Sequence, residues 1–243
     1  MLDSHVHFGQ FNEVYYDFDR IFEAIFTCGK IDSIVYSTTS SCIHDVKYKF
    51  IRNEIEKITK KYPIDIALPL FWVVPNYIKQ GIKVYTAMTE LNYGGIKLHP
   101  YGNKWNFEDD KEQYEILHEV FDYADKHSLR ILIHTGESGV DSPSRFERFF
   151  AEYKNAMIIL AHCRPANETI RIMQKFSNVF GDVAFATKER IDAINIAGFG
   201  KRLIFGTDFP ITHYFYSKNN EITFEEQYKN DFDNSIYLLK LLE

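Results

Sequence analysis

Short apolar segments recur eight times along the chain, and longer stretches with helical periodicity lie between most of them. The segments are rich in β-branched and aromatic residues, as buried strands are. Strands that alternate with helices predict a parallel sheet with its helices outside. The predicted strands are Met1–His7, Asp32–Thr38, Ile64–Val73, Gly95–His99, Arg130–His134, Met157–His162, Val179–Val183 and Arg202–Gly206.

The spacing of apolar residues predicts helices over Ile43–Tyr62, over Glu112–His127 and from Phe224 onward, and Phe8–Lys30 is long enough to hold another. A closed (β/α)8 barrel needs about 250 residues, and the chain has 243. An open doubly wound sheet is the alternative, but the GxGxxG turn that favours it is missing after the first strand. We therefore predict an α/β fold in which residues 1–243 form a single (β/α)8 TIM barrel, slightly distorted at most, without a flanking sandwich domain.

The composition is that of an ordinary globular protein, with 45% hydrophobic and 26% charged residues. A net charge of −6 argues against nucleic-acid binding, which needs a basic face. No apolar stretch approaches the roughly 18 residues that a membrane-spanning helix needs, and no signal peptide is recognisable, so no membrane partner is expected. The three cysteines are scattered and odd in number, which favours free thiols and a cytoplasmic location.

Histidines cluster where the predicted strands end. The first strand ends in His5 and His7, the fourth in His99, the fifth in His134 and the sixth in His162, while Asp208 follows the eighth. The carboxyl ends of parallel barrel strands share one face, where active sites are built. Imidazoles and a carboxylate that converge on this face predict a divalent-metal site.

Strand periodicity indicates which of these side chains lie together. Residues two apart on a strand point to the same side, so His5 and His7 are placed to chelate one ion. Asp3 should share that side one step deeper and support the ligands. An HxH pair by itself is a weak signal in a chain with nine histidines. The coincidence of several polar strand ends makes the prediction specific.

Two further pairs of side chains share a face in the same way: Lys97 with His99, and His162 with Arg164. An arginine at a barrel mouth is suited to bidentate binding of a carboxylate or phosphate. The alternative for Arg164 is a structural salt bridge, with Glu137 or Glu168 as its partner.

Five segments that span the chain carry a family resemblance. They are LDSHVHFG (2–9), GGIKLHPYG (94–102), LIHTGES (132–138), ILAHCRP (159–165) and RLIFGTDFP (202–210). In this order they resemble the amidohydrolase superfamily of metal-dependent (β/α)8-barrel enzymes. A short chain that opens with HxH is most similar to the amidohydrolase-related branch (amidohydrolase 2), which includes hydrolases and nonoxidative decarboxylases.

The resemblance implies a role for each matching residue. The metal ligands would be His5, His7, His134 and Asp208, and Asp208 would also exchange a proton with the attacking water. His162 would be the second catalytic residue. It binds a second ion in two-metal members of the superfamily and contacts water or substrate in one-metal members.

The fourth strand leaves the number of metal ions open. Lys97 would bridge two ions if it is carboxylated, or bind substrate if it stays an ammonium. His99 would be an extra ligand or a substrate contact. The glutamate that some branches use as a bridge is missing from GGIKLHP. We favour one ion, expected to be zinc, with Lys97, His99 and Arg164 binding substrate.

These observations predict a metal-dependent hydrolase of a small amide, lactone or ester. An anionic substrate would suit Arg164 and Lys97, and Asp208 would shuttle the proton. The alternative is a metal-dependent nonoxidative decarboxylase of an unsaturated or aromatic acid. A degenerate barrel that only binds a ligand is disfavoured, because the HxH pair and Asp208 are both present. Aromatic residues in the predicted loops are compatible with a homodimer.

Overall fold

The computed structural model describes residues 1–45, 48–136, 139–218 and 221–240. Within these ranges eight strands form one parallel sheet, and neighbours along the chain are neighbours in the sheet. The strands of this sheet are β1 (Leu2–His7), β4 (Ser33–Ser37), β5 (Ala67–Trp72), β6 (Gly95–Leu98), β7 (Arg130–His134), β8 (Met157–Ala161), β9 (Val179–Asp182) and β10 (Leu203–Ile204). A separate hairpin consists of β2 (Gly9–Phe11) and β3 (Val14–Tyr16).

Helices connect the strands and form the outer layer. They are α1 (Phe18–Thr27), α2 (Lys49–Lys61), α3 (Pro75–Lys79), α4 (Val84–Glu90), α5 (Lys111–Lys126), α6 (Glu147–Glu152), α7 (Ala166–Lys175), α8 (Lys188–Ile196), α9 (Ile211–Ser217) and α10 (Phe224–Lys240). Short 3₁₀ turns occur at Ser40–His44, Gly139–Asp141, Pro143–Phe146 and Gly200–Arg202. None of the helices in the described ranges is long and apolar enough to cross a membrane.

The last strand returns to the first and nearly closes the sheet. The backbone N–H of Ser4 donates to the carbonyl of Phe205 at 3.1 Å, and that of Asp208 donates to the carbonyl of His5 at 2.8 Å. Val6 and Phe209 form an isolated parallel bridge beyond the end of β10. The prediction of a single (β/α)8 TIM barrel is confirmed, and the described residues include no additional sandwich domain.

Two apolar layers hold the barrel together. A small interior cluster fills its lower part with Val35, Leu70, Leu132, Ile159 and Ala161. A much larger cluster packs the outer faces of the strands against the helices. The interior cluster reaches the level of the strand ends, because Ala161 lies opposite His134 in the sheet.

The segment Phe8–Lys30 contains more than the helix that its length allows. The hairpin β2–β3 comes first, turning at Asn12, which has a left-handed backbone (φ +50°). The helix α1 then begins after Asp17, whose carboxylate accepts hydrogen bonds from the N–H groups of Asp19 and Arg20. A hairpin with three-residue strands is too short to produce a recognisable periodic pattern.

The predicted helix Ile43–Tyr62 is interrupted near its start. A 3₁₀ turn ends at His44, and α2 begins only at Lys49, after Tyr48 in a left-handed conformation (φ +60°). The Asp45 carboxylate accepts hydrogen bonds from the N–H groups of Phe50 and Ile51 and so caps the new helix. Residues 46 and 47 of the predicted helix lie outside the described residues.

The expectation that Asp3 shares a side with His5 is wrong. A β-bulge sets three steps on β1, from Asp3 to Val6, against two on β4 and breaks the alternation of side chains. Asp3 lies opposite Ile34 of the outer core and accepts a hydrogen bond from Tyr228 on α10. It still supports the metal-site strand, because its carboxylate accepts the backbone N–H of His5.

Candidate active site

A cavity of about 540 Å³ opens at the carboxyl ends of the barrel strands. This volume is in the range of small-molecule sites. The polar side chains that line it include His7, Lys97, His99, His134, His162, Arg164 and Asp208. Aromatic side chains on the surrounding loops complete the wall: Phe11, Trp72, Tyr101, Phe185, Phe215 and Tyr216.

His5, His7 and Asp208 converge at the floor of this cavity. The Oδ1 atom of Asp208 lies 3.3 Å from Nε2 of His5 and 3.1 Å from Nε2 of His7. The two Nε2 atoms are 3.1 Å apart. All three side chains are buried, so few groups outside the site can form hydrogen bonds with these atoms.

Oxygen atoms behind the imidazoles determine how three of these rings face the centre. Nδ1 of His5 lies 2.8 Å from Oδ2 of Asp182, Nδ1 of His7 lies 2.7 Å from the Thr38 carbonyl, and Nδ1 of His162 lies 2.9 Å from the Ala184 carbonyl. A carbonyl or carboxylate oxygen accepts a hydrogen bond, so each Nδ1 carries the hydrogen. Each Nε2 therefore presents a lone pair, the form in which histidine binds a metal.

This donor set fits a divalent metal ion. Two Nε2 lone pairs and a carboxylate oxygen face one another at little more than 3 Å, an arrangement that is repulsive unless a cation or proton lies among them. Two imidazole nitrogens and a carboxylate are the ligands of many catalytic zinc sites. His5, His7 and Asp208 are thus the residues best placed to hold the ion.

His134 lies in a neighbouring pair and not in the cluster of His5, His7 and Asp208. Its Nδ1 atom is 3.2 Å from Nε2 of His162. The four predicted ligands are therefore all at the barrel mouth, but they divide into a compact set of three and a fourth beside the predicted catalytic histidine.

Burial favours the unprotonated form of three imidazoles at the mouth. Loss of hydration lowers the pKa of His5, His134 and His162, and the Lys97 ammonium lowers each of them further.

Lys97 reaches the same centre from β6. Its Nζ atom is 3.1 Å from Nε2 of His5 and 5.7 Å from the centroid of the Trp72 ring. Burial lowers its pKa to about 8, although the Asp208 and Asp182 carboxylates counteract the shift. The Lys97 ammonium therefore lies beside the His5, His7 and Asp208 cluster and lines the cavity.

His99 and Arg164 occupy the wall of the cavity. The His99 ring stacks on His134 with 3.9 Å between ring centroids. The Nε atom of Arg164 donates to the Thr135 carbonyl at 3.0 Å, and Nη2 lies 3.5 Å from Nε2 of His134. Both side chains line the cavity, where the sequence predicts substrate contacts.

The structure describes one of the two glutamates that were expected as partners of Arg164. Glu168 accepts hydrogen bonds from the hydroxyls of Ser142 and Ser144, which lie on the segment before α6. Glu137 lies outside the described residues.

Asp182 contacts the candidate site but was not predicted from the sequence. It is completely buried at the end of β9. Besides the contact with His5, its Oδ1 atom accepts the backbone N–H of His162 at 2.8 Å. The available signal was an acidic residue at the end of an apolar strand segment, VFGDV, which is costly to bury without a partner.

Three residues at these strand ends have a strained backbone. His162, Cys163 and Asp208 have φ values of +66°, +50° and +62°, in the left-handed region that side chains other than glycine rarely adopt. Such conformations cost of order 1–3 kcal/mol each and occur preferentially at functional sites. The strain supports the view that this mouth was selected for chemistry.

The nearly closed barrel and the histidine–carboxylate cluster at its mouth define a class, the amidohydrolase-superfamily TIM-barrel enzymes. A family model described as amidohydrolase matches residues 58–233, well over half of the chain. The chain therefore belongs to the amidohydrolase family. No curated protein sequence gives a significant match to it.

Solved structures with low sequence identity share the fold. A protein from Pseudomonas putida, provisionally described as a 2-pyrone-4,6-dicarboxylic acid hydrolase, aligns with a TM-score of 0.61 at 13% identity over 98% of this chain and 97% of that one. An amidohydrolase 2 from Bifidobacterium longum subsp. infantis aligns with a TM-score of 0.59 at 13% identity over 98% of both chains. A 4-oxalomesaconate hydratase from Rhodopseudomonas palustris gives 0.54 and 13% over 99% of this chain and 96% of that one.

Proposed function

We propose that this protein is a metal-dependent hydrolase of a small anionic amide, lactone or ester. The observation that carries the proposal is the convergence of His5, His7 and Asp208 within 3.1–3.3 Å at the floor of the barrel-mouth cavity. Membership of the amidohydrolase family supports a metal-dependent enzyme, and the description of that family favours hydrolysis.

The cavity wall supports a flat substrate with a negative charge. Lys97 and Arg164 contribute the positive charge, and Arg164 offers the planar donor geometry that matches a carboxylate. Trp72, Phe185 and Phe215 provide apolar surface around these cations. The substrate class that suits both features is a carboxylic acid with an unsaturated or cyclic body and a hydrolysable acyl bond.

His5, His7 and Asp208 would hold the ion, with His134 as the fourth ligand. When bound, such an ion lowers the pKa of water from about 15.7 toward 7 and polarises an acyl oxygen. Asp208 takes the proton of the attacking water on its carboxylate and delivers it to the leaving group. His162 holds the water or substrate beside His134, while Arg164 and Lys97 bind the anionic end.

One zinc ion is the occupancy that we propose. Nitrogen and carboxylate ligands in a compact set suit zinc, and Lys97 in its ammonium form would contribute to substrate binding and not to a second ion. A cytoplasmic location is proposed because Cys28, Cys42 and Cys163 are all free thiols.

The test combines removal of the metal with a substrate panel. Protein stripped by a chelator and protein reloaded with zinc are assayed on lactones, esters and amides of carboxylic acids, with neutral analogues of equal size as controls. We expect hydrolysis only with zinc, and weaker activity on the neutral analogues. Hydrolysis that persists after complete metal removal would refute the proposal, and release of CO₂ from an unsaturated acid without hydrolysis would identify a decarboxylase instead.

A further inference from the structure

We propose that His99 is a catalytic hydrogen-bond donor, with Nε2–H directed at the reacting acyl oxygen of the substrate, and that it is not a metal ligand. The inference rests on the proposed hydrolase function for the identity of that oxygen. The placement of the hydrogen on Nε2 does not depend on the reaction, because it follows from the surroundings of the ring.

The backbone at Gly102 determines which nitrogen of His99 carries the hydrogen. The N–H of Gly102 donates to Nδ1 of His99 at 3.1 Å. A backbone N–H is always a donor, so Nδ1 presents its lone pair to it. A neutral imidazole has one N–H group, and in His99 that group must be Nε2–H.

This arrangement is the reverse of that found for the histidines at the metal centre. The Nδ1 atoms of His5, His7 and His162 face oxygen acceptors, which leaves their Nε2 lone pairs for a cation. His99 faces a backbone donor and has a hydrogen where those residues have a lone pair. One cavity therefore contains histidines of two chemical kinds, and the atom beside Nδ1 distinguishes them.

Two stacking contacts hold the His99 ring in position. It stacks on His134 at 3.9 Å with 12° between the planes, and on Trp72 at 5.6 Å with 25°. Trp72 is fixed in turn by a hydrogen bond of 2.6 Å from its Nε1 to Oδ1 of Asn103. A donor that is oriented before the substrate arrives costs no reorganisation during the reaction.

Close approach of the Gly102 backbone makes the contact possible. A Cβ atom at this position would lie 3.1 Å from Nδ1 of His99 and 3.1 Å from Cβ of Ser40. Glycine at 102 lets the loop after β6 approach the ring without this crowding. The GGIKLHPYG segment thus supplies both the histidine and the backbone N–H that orients its hydrogen.

Proximity to His134 places the His99 ring beside the reacting end of the substrate. His134 is a proposed ligand, and its ring is in van der Waals contact with His99. During acyl transfer the acyl oxygen gains negative charge, and a fixed N–H beside it stabilises the transition state more than the ground state. Arg164 and Lys97 remain to bind the carboxylate.

The first experiment observes the tautomer directly and needs no substrate. Protein with nitrogen-15 in its histidines is examined by long-range proton–nitrogen NMR, and the His99 signals are identified by their loss in His99→Gln. We expect Nε2 protonated and Nδ1 unprotonated, both with and without zinc. A hydrogen on Nδ1 would overturn the proposal even if hydrolysis is established, and Nε2–H would uphold this part even if no hydrolysed substrate is found.

The second experiment tests whether His99 is a catalytic hydrogen-bond donor, a metal ligand or a residue that only binds the substrate. In His99→Ala we expect zinc content to be unchanged and kcat to fall roughly 10²–10³-fold, as for loss of one oxyanion donor, with KM nearly constant. His99→Gln keeps an N–H donor and should recover part of kcat. His127→Ala, an exposed histidine just after α5, is the matched control. Loss of zinc, or a raised KM with unchanged kcat, would overturn the proposal.

Discussion

Two carboxylates at the proposed metal centre, those of Asp208 and Asp182, have different roles. Asp208 lines the cavity and faces His7. In the proposed reaction it exchanges a proton with the attacking water. Asp182 lies behind the histidines, fully buried, with one oxygen on Nδ1 of His5 and the other on the backbone N–H of His162. Asp182 therefore positions two strand ends without touching the cavity.

Replacing Asp182 by asparagine should weaken zinc binding. Asp182 accepts hydrogen bonds on both oxygens, from His5 Nδ1 and from the N–H groups of His162 and Ala184. Asp182→Asn keeps only one accepting oxygen, so either His5 or the end of β8 loses its partner and the ligands are held less firmly. Mutations of such supporting partners typically cost 10–100-fold in metal affinity. The measurement is zinc affinity by competition with a chromogenic chelator.

Asp233→Asn provides the matched control, because Asp233 forms an exposed ion pair with Lys229 on α10 and such pairs contribute little. Zinc affinity in Asp182→Asn equal to that of Asp233→Asn would contradict the role assigned to Asp182.

At the level of elements, the last helix holds the loop that carries Asp208. Three polar contacts join α10 to this region: Tyr228 to Asp3, Ser235 to the Gly206 carbonyl, and Asp231 to Thr212. Asp3 also accepts the hydroxyl of Thr207, the residue before Asp208. The last helix therefore stabilises the strained backbone at Asp208.

The burial of Asp231 predicts a pH dependence of stability. Burial chiefly, together with the nearby Asp208 and Asp3 carboxylates, raises the pKa of Asp231 to about 7, although Thr212 and Gln227 donate hydrogen bonds to it. Its unfolded value is near 3.8, so the folded state binds the proton more tightly. The stability that this proton provides is complete below about pH 4 and is lost as the pH rises through 7.

Urea unfolding of wild type and Asp231→Asn at several pH values measures this effect. Between pH 4 and 8 the free energy of unfolding of the variant should rise relative to that of the wild type. The rise should be at most about 4 kcal/mol, since one pKa unit corresponds to about 1.4 kcal/mol. Above pH 8 the difference should be constant. A difference between the two proteins that does not change with pH would show that Asp231 titrates normally.

For the molecule as a whole, metal binding should stabilise the fold. The ligands come from strands at opposite ends of the chain, so the ion site exists only when the barrel is nearly closed. An ion that binds only the folded state at 100 times its Kd adds about 2.7 kcal/mol. For a chain of this size that corresponds to a rise in Tm of about 5–11 °C.

Thermal unfolding with and without zinc tests this expectation. His7→Ala should lose most of the rise in Tm, whereas His127→Ala should keep it. An equal rise in both variants would mean that zinc stabilises the protein from a different site.

The barrel was predictable because it depends on patterns that local sequence carries. Strand segments such as Arg130–His134 and Gly95–His99 are short apolar runs, and the helix from Phe224 onward shows a clear amphipathic period. The shared face of parallel strand ends then places His5, His7, His134, His162 and Asp208 at one mouth. Composition and spacing sufficed for this step, since it needs only the direction of each strand.

Contacts between distant segments decided the rest. The bulge that turns Asp3 outward depends on how β1 registers against β4. The role of Asp182 depends on its contact with His5, which precedes it by 177 residues. The hydrogen on His99 depends on a backbone N–H brought close by a glycine loop. Local sequence determines which side chains reach the mouth, but hydrogen-bond partners across the barrel determine what each one does there, because tautomer and register are properties of the assembled fold.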